Sequence, residues 1–322
     1  VYVDGKKVID AWTEHSVQMD EAMIKLEAGK TYKLQVEYFD NGGDCFAGLY
    51  WKAPSAGSQN VLARFGDAGK GAECDVTVAV LGINKSIERE GQDRFSLELP
   101  VDQQEFIKEL YKVNPNTVVV LVAGSSMAVN WMDENVPAIL NAWYPGEQGG
   151  NAVAEVLFGD YNPGGRLPLT YYNSLDEIPA FDNYSVKGRT YQYFEGQPLY
   201  EFGYGLSYTK FRYKSKGVNV EQDTVKVSFE VSNTGKYDGD EVAQVYVKYP
   251  ETGTYMPLKQ LHGFKRVHIK KGKTSKVTIG VPKKDLRYWD EQERKFVTPK
   301  GEYTFMVGAS SEDIKFRETV GL

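Results

Sequence analysis

Seven consecutive positions, Glu88-Arg89-Glu90-Gly91-Gln92-Asp93-Arg94, hold three carboxylates and two guanidiniums. Carboxylates can carry protons in general acid–base work. The same charges can also neutralise one another on a wetted loop. The residues just before them bear on the choice. Val76, Val78, Ala79, Val80, Leu81 and Ile83 form a nearly unbroken apolar run, broken by Gly82. A run that is apolar on both faces predicts a central strand of a parallel sheet, covered on both sides. Open α/β sheets place ligand sites in charged loops at the carboxyl ends of such strands. On the residues alone, a ligand site and a self-paired solvated loop both stay open.

The chain has 322 residues, 41% of them apolar, enough for two or three domains with cores of their own. A net charge of −6 gives no basic footprint, which argues against nucleic acid as a partner. Tyrosines number 22, which suits polar, ring-shaped ligands and suits β-strands equally well. Cys45 and Cys74 are too few for a disulfide framework and lack zinc spacing; buried thiols are the expectation, with one disulfide left open. His15, His262 and His268 are scattered, so neither a triad nor a metal site is expected. No apolar run reaches membrane-spanning length, and no membrane partner is expected.

Taken in order, residues 1–53 read as all-β. Asp4-Gly5 turns between Val1, Val3 and Val8, Ile9; residues 31–38 alternate with period two; residues 46–51 form another strand. Asp40-Asn41-Gly42-Gly43-Asp44 between them reads as a tight turn. Residues 54–72 are small and polar, a connection. From 73 to 213 strand and helix alternate: a helix over 101–113 entered at Pro100, a strand over 117–123, a third over 138–143, a helix over 149–158 stopped by Gly159, and a short strand over 167–170. This pattern predicts a doubly wound α/β layer. A long aromatic stretch closes it, read either as functional or as packing against the next domain. Residues 214–322 alternate in short strands, a β-sandwich. The predicted fold class is therefore multidomain α/β plus all-β.

Several motifs together resemble the C-terminal half of family-3 glycoside hydrolases. They are residues 88–94 with Leu97-Glu98-Leu99-Pro100; Ala142-Trp143-Tyr144-Pro145-Gly146-Glu147 with Asn162-Pro163-Gly164-Gly165-Arg166; Gly188-Arg189-Thr190-Tyr191 with Phe202-Gly203-Tyr204-Gly205; and Asn233-Thr234-Gly235 with Gly239-Asp240-Glu241. The resemblance implies a fibronectin-type-III-like last domain. It also implies that residues 1–53 are the second half of a protective-antigen-like β-sandwich insert, so that the chain is expected to be part of something longer.

The family's implied activity is exo-acting retaining hydrolysis of β-linked sugars, with an oligosaccharide or aryl glycoside as substrate and no cofactor. Retention needs two carboxyl groups about 5 Å apart, one attacking and one donating then accepting a proton. The resemblance implies Glu90 as the acid/base, with Glu88 the alternative, and Asp93 and Arg94 as a structural pair holding the loop. The implied nucleophile lies in a Ser-Asp-Trp context on a β/α barrel, and neither is in this chain. The expected partner is therefore a barrel domain or chain, with self-association left open. Phe46 of the insert is a further expected sugar contact, packing inside the sandwich being the other reading. Trp131 and Trp143 are expected in the core. The stretch 188–194 resembles xyloside-cleaving members more than glucosidases, and the implied home is extracellular or periplasmic. The competing class is a non-catalytic carbohydrate-binding or scaffold chain, in which Glu90 is dispensable.

Overall fold

A computed structural model describes residues 1–12, 20–27, 29–37 and 68–322. Phe46, Cys45, His15, the Asp40 turn and the expected strand 46–51 lie outside the described residues. The chain divides into two compact units, Val1–Gly124 with Asn135–Asn141 and Ser125–Glu134 with Ala142–Leu322.

In the first unit Asp4 and Gly5 both take positive φ, +48° and +75°. That is the mirror-image turn whose twist matches two antiparallel strands. It joins β1 (Tyr2–Val3) to β2 (Lys6–Lys7), and β3 (Leu34–Gln35) pairs with the other edge of β1. A parallel sheet follows in the order β4 (Thr77–Gly82), β5 (Thr117–Val122), β6 (Ala138–Asn141). Helix α1 (Val101–Val113) connects β4 to β5 and buries Ile107 and Leu110, with Pro100 at its N-cap. Beyond its end, Asn114 ties the 71–74 segment to the sheet by donating to the carbonyls of Gly71 (3.0 Å) and Cys74 (2.8 Å). Cys74 is exposed rather than buried.

The apolar run of β4 does not make it the central strand. Among the described residues β4 is an edge, its Ala79 and Leu81 buried while Val78 and Val80 stay 48% and 66% exposed. The central place belongs to β5, whose Val119, Val120 and Leu121 are all buried. A strand apolar on both faces states what each face tolerates, not that both are covered.

In the second unit come the short helix α2 (Asn130–Asn135), which periodicity did not predict and which begins in this unit, and α3 (Gly149–Phe158). Gly159 closes α3 in the left-handed region at φ +85°, as its position predicts. Residues 167–170 form no strand. Pro168 has no N–H to give a ladder. Leu167 instead exchanges backbone bonds with Gly203 and Tyr204, and Tyr171 bridges antiparallel to Tyr200. The aromatic stretch carries a single helical turn, α4 (Thr190–Tyr193).

The sandwich has two antiparallel sheets. One runs β10 (Gln260–Ile269), β9 (Gly239–Lys248), β14 (Glu302–Gly308), β15 (Ile314–Gly321); the other runs β11 (Thr274–Pro282), β8 (Thr224–Asn233), β7 (Phe211–Val220). A hairpin of β12 (Tyr288–Asp290) and β13 (Lys295–Val297) stands apart from both. Alternate residues of the strands meet inside: Val225, Val227, Phe229 and Val231 from β8 against Val245, Val247, Tyr303, Phe305 and Val307. This is the inward half of a period-two pattern.

Segment 159–209 is cemented to this sandwich by polar pairs. Asn162 donates to the Asp238 carbonyl (2.9 Å) and accepts from Ser207 Oγ (3.0 Å) and the Tyr208 amide (2.8 Å). Arg166 Nη2 meets Glu241 Oε1 at 3.0 Å, both side chains less than a tenth exposed. Nearby, Asp240 accepts from Arg266 and pairs with His268. Burial alone would raise the Asp240 carboxyl, but the hydrogen bonds from His268 and Arg266 outweigh it and hold it low. Its contribution to stability is therefore present above the ordinary aspartate range and fades as pH falls toward the lowered value.

Arg166→Met should strand the Glu241 charge and cost about 3 kcal/mol, read as a lower urea midpoint. Adding Glu241→Met to the same chain should restore most of the loss, because a buried pair replaced by apolar groups is close to neutral. A double variant as unstable as the single one would show that the pair is not the weld.

Candidate functional site

The charged loop is built from the end of β4. Gly82 has φ +153°, and a Cβ placed on it would lie 1.8 Å from the Val122 carbonyl oxygen. Only glycine lets the strand bend there, where Ile83 then donates to that same oxygen at 3.0 Å. Gln103 of α1 clamps the bend from the other side: its Oε1 accepts from the Gly82 amide and its Nε2 donates to the Gly82 carbonyl, both at 2.8 Å. One side-chain amide thus stands in for a neighbouring strand.

Beyond the clamp, Asn84 caps a single turn. Its Oδ1 accepts from Ser86 N and Oγ, and its carbonyl accepts from Ile87 and Glu88. A tight turn follows, in which Arg89 and Gln92 exchange backbone bonds across Glu90 and Gly91. Gly91 sits at φ +75°, the conformation that a glycine in the second central place of a turn supplies. Glu90 occupies the first central place and is exposed.

The two glutamates are therefore in different situations. Glu88 Oε1 accepts from the Gly124 amide at the end of β5 (3.1 Å), and its Oε2 lies 3.4 Å from Arg94 Nε. The Glu88 and Arg94 side chains are mostly buried, at 17% and 11% exposure. Arg94 meets Glu88 rather than the Asp93 expected to pair with it. The Arg94 side chain is mostly buried while Asp93 is exposed.

Trp131 and Trp143 are half-buried. Of the described histidines, His262 shares a hydrogen bond with Tyr249 (2.9 Å), and burial pushes its imidazole below the ordinary range. Among the described residues no three His, Cys, Asp or Glu side chains gather as a metal-ligand set, and no helix is long and apolar enough to cross a membrane. The aromatic closing stretch packs largely on the sandwich. Tyr191 stacks on Phe202 (centroids 4.2 Å), meets Tyr246 of β9 edge-on, and accepts from the Leu261 amide. Tyr200 donates to Asp133 at 2.6 Å, and burial, with Asp133 next, holds its hydroxyl protonated well above the usual tyrosine range. Reading the sequence missed Gln103 as the residue that aims the loop. Its position, 21 residues after Gly82 on a helix, carries no local signal.

A family model described as the glycosyl hydrolase family 3 C-terminal domain matches residues 27–208, and one for a fibronectin type III-like domain matches residues 241–311. The chain is 43% identical over 225 residues to a xylan 1,4-β-xylosidase of Xylanibacter ruminicola, covering 69% of this chain and 26% of that protein. It is 35% identical over 314 residues to a β-glucosidase of Kluyveromyces marxianus, covering 90% of this chain and 37% of that protein. The crystal structure of the Kluyveromyces marxianus β-glucosidase in complex with glucose superposes with a TM-score of 0.74 at 35% identity, covering 82% of this chain and 33% of that one. The chain thus spans well under half the length of these relatives.

Gln103→Leu keeps the side-chain bulk and removes both bonds to Gly82. Amide exchange at Gly82, Ile83 and residues 84–94 should speed up by roughly tenfold or more, as two hydrogen bonds of about 1 kcal/mol each are lost, while the middle of α1 stays protected. Unchanged exchange in the loop would mean that Gln103 does not hold it.

Proposed function

Because the chain belongs to glycosyl hydrolase family 3, we propose that it is the C-terminal part of a retaining exo-β-glycosidase and that Glu90 supplies the acid/base. The observation carrying this reading is the contrast between the two glutamates. Glu88 gives one oxygen to the Gly124 amide at the end of β5 and the other to Arg94, whereas Glu90 stands exposed at the tip of a turn. A group that must first donate a proton to a leaving oxygen and then take one from water has to reach the substrate. Gly91 supports this role by lowering bulk beside the tip. Arg94 is then a positioning residue acting through Glu88, and Asp93 lies on the outer side of the same loop.

In this reading the Asp nucleophile comes from a β/α barrel outside this chain, as a further domain or a separate chain, and Phe46 is a sugar-binding residue. Residues 1–53 are the second half of a protective-antigen-like insert, 54–72 a connection, 73–213 the doubly wound α/β domain carrying the acid/base loop, and 214–322 the fibronectin-like domain. The substrate is a terminal β-linked sugar, xyloside ahead of glucoside on the likeness of residues 188–194. The relatives include both a β-xylosidase and a β-glucosidase. An extracellular or periplasmic location goes with such substrates.

The test uses the chain assembled with its barrel part. Glu90→Gln should lower kcat/KM by about 10²–10⁴ on an alkyl or oligosaccharide β-glycoside, whose leaving group needs protonation. It should lower it far less on a dinitrophenyl glycoside, whose leaving group does not. An equal loss on both would argue against the acid role, and no loss on either would favour the non-catalytic reading. Comparing aryl β-xyloside with aryl β-glucoside on the same assembly decides the sugar, a clear glucoside preference overturning the xyloside assignment.

A further inference from the structure

The second unit carries a cleft of about 210 Å³. Its walls come from α4, from the stretch after β9, and from the entry to β12. Tyr255 stacks on Tyr193 with ring centroids 5.4 Å apart and planes 22° from parallel. One face of the Tyr255 ring is thus backed by another ring, and the residue is still 51% exposed. Tyr288 lies in the same lining.

Polar groups share the lining with these rings. Gln260 Oε1 accepts from Tyr249 Oη at 3.0 Å, which fixes the amide and leaves its NH2 group for a ligand. Gln192 and Arg287 also line the cleft, and among the described residues no carboxylate does. Arg287 Nε is already given to the Lys284 carbonyl at 2.6 Å, and its guanidinium lies over the Phe296 ring. A multiply charged anion would find little here.

This combination fits one chemical class. A pyranose ring has an apolar C–H face and a rim of hydroxyls that both donate and accept. A rigid, backed aromatic face takes the first, and fixed amides with phenolic hydroxyls take the second. The cleft is small by the standard of drug-sized pockets, which matches a single ring of a longer chain.

We propose that this cleft is a carbohydrate-binding site, built by residues of the second unit alone, that holds one ring of a neutral β-linked oligosaccharide by stacking on Tyr255. Such a site would keep a long substrate on the protein between successive removals of its terminal sugar. The proposal stands whether or not Glu90 is the acid, since hydrolysis and binding are measured separately.

The experiment is isothermal titration calorimetry of the full chain with xylotriose and with cellotriose. Saturable binding of at least one is expected. Tyr255→Ala should weaken it about tenfold or more, as a stacking anchor does, and Tyr255→Phe should retain most of it. Glu90→Gln should leave it unchanged. Because Tyr255 is half exposed, the alanine variant should keep the wild-type urea midpoint, so a loss of binding reads on the cleft. Three results would overturn the proposal: no heat with either sugar, Tyr255→Ala binding as tightly as wild type, or binding lost in Glu90→Gln but kept in Tyr255→Ala.

Discussion

The Val122 carbonyl oxygen occupies the space a side chain at position 82 would need. Much of the first unit depends on that close approach. β4 can run alongside β5 to its last residue only because Gly82 has no Cβ, and the chain must leave the sheet there because φ +153° cannot continue a strand of ordinary residues. An edge strand ending this way would leave an N–H and a C=O without partners, at a cost of about 1–3 kcal/mol each if they were buried. Gln103 satisfies both with one amide. Because Gln103 sits in the first turn of α1, the helix and the loop are locked to the same two atoms. The loop between them, residues 84–100, then has fixed ends, and its inner carboxylate Glu88 meets Arg94 and the Gly124 amide.

The motifs that carry the family likeness are in large part structural in this chain. A Cβ on Gly203 would strike Gln244 Oε1 at 2.1 Å, one on Gly205 the Gly165 carbonyl at 2.2 Å, and one on Gly239 the Asn162 amide at 2.6 Å. These glycines come from two of the motifs and exist because two backbones or a backbone and an amide approach too closely for anything larger. Asn162, Arg166 and Glu241 add the hydrogen bonds that a close polar contact demands. Family signatures so dense in glycine and asparagine record where segment 159–209 is pressed onto the sandwich.

The range over which each signal acts decides how much of this was legible in the sequence. Local signals carried well: the Asp4-Gly5 turn, Pro100 before α1, Gly159 after α3 and the alternation in β8 are all set by residues within a few positions of one another. Signals that depend on what lies across space did not carry. The apolar run of β4 could not say that its Val78 and Val80 face lies open among the described residues while β5 takes the central place. The order Asp93-Arg94 suggested a pair, yet the guanidinium meets Glu88, five residues earlier than Asp93. Gln103 is one more polar residue on an amphipathic helix until Gly82 is placed beside it.

The loop also divides its labour in a way that bears on the proposed chemistry. A proton-transferring carboxylate has to be aimed to within a fraction of an ångström, yet it must not be consumed by the contacts that aim it. On the proposed reading the aiming falls to Glu88, which is mostly buried and bonded through both oxygens, and to the Arg89–Gln92 bridge. Glu90 stands exposed at the corner of that turn, and its next residue is a glycine. On the proposed reading the side chain that is rich in partners is for that reason the weaker choice for the reaction, and the exposed one the better. On the proposed reading the dry, low-dielectric surroundings that such a carboxylate needs arrive with the substrate and with the barrel outside this chain, so the loop can be fully formed here before the site it serves is complete.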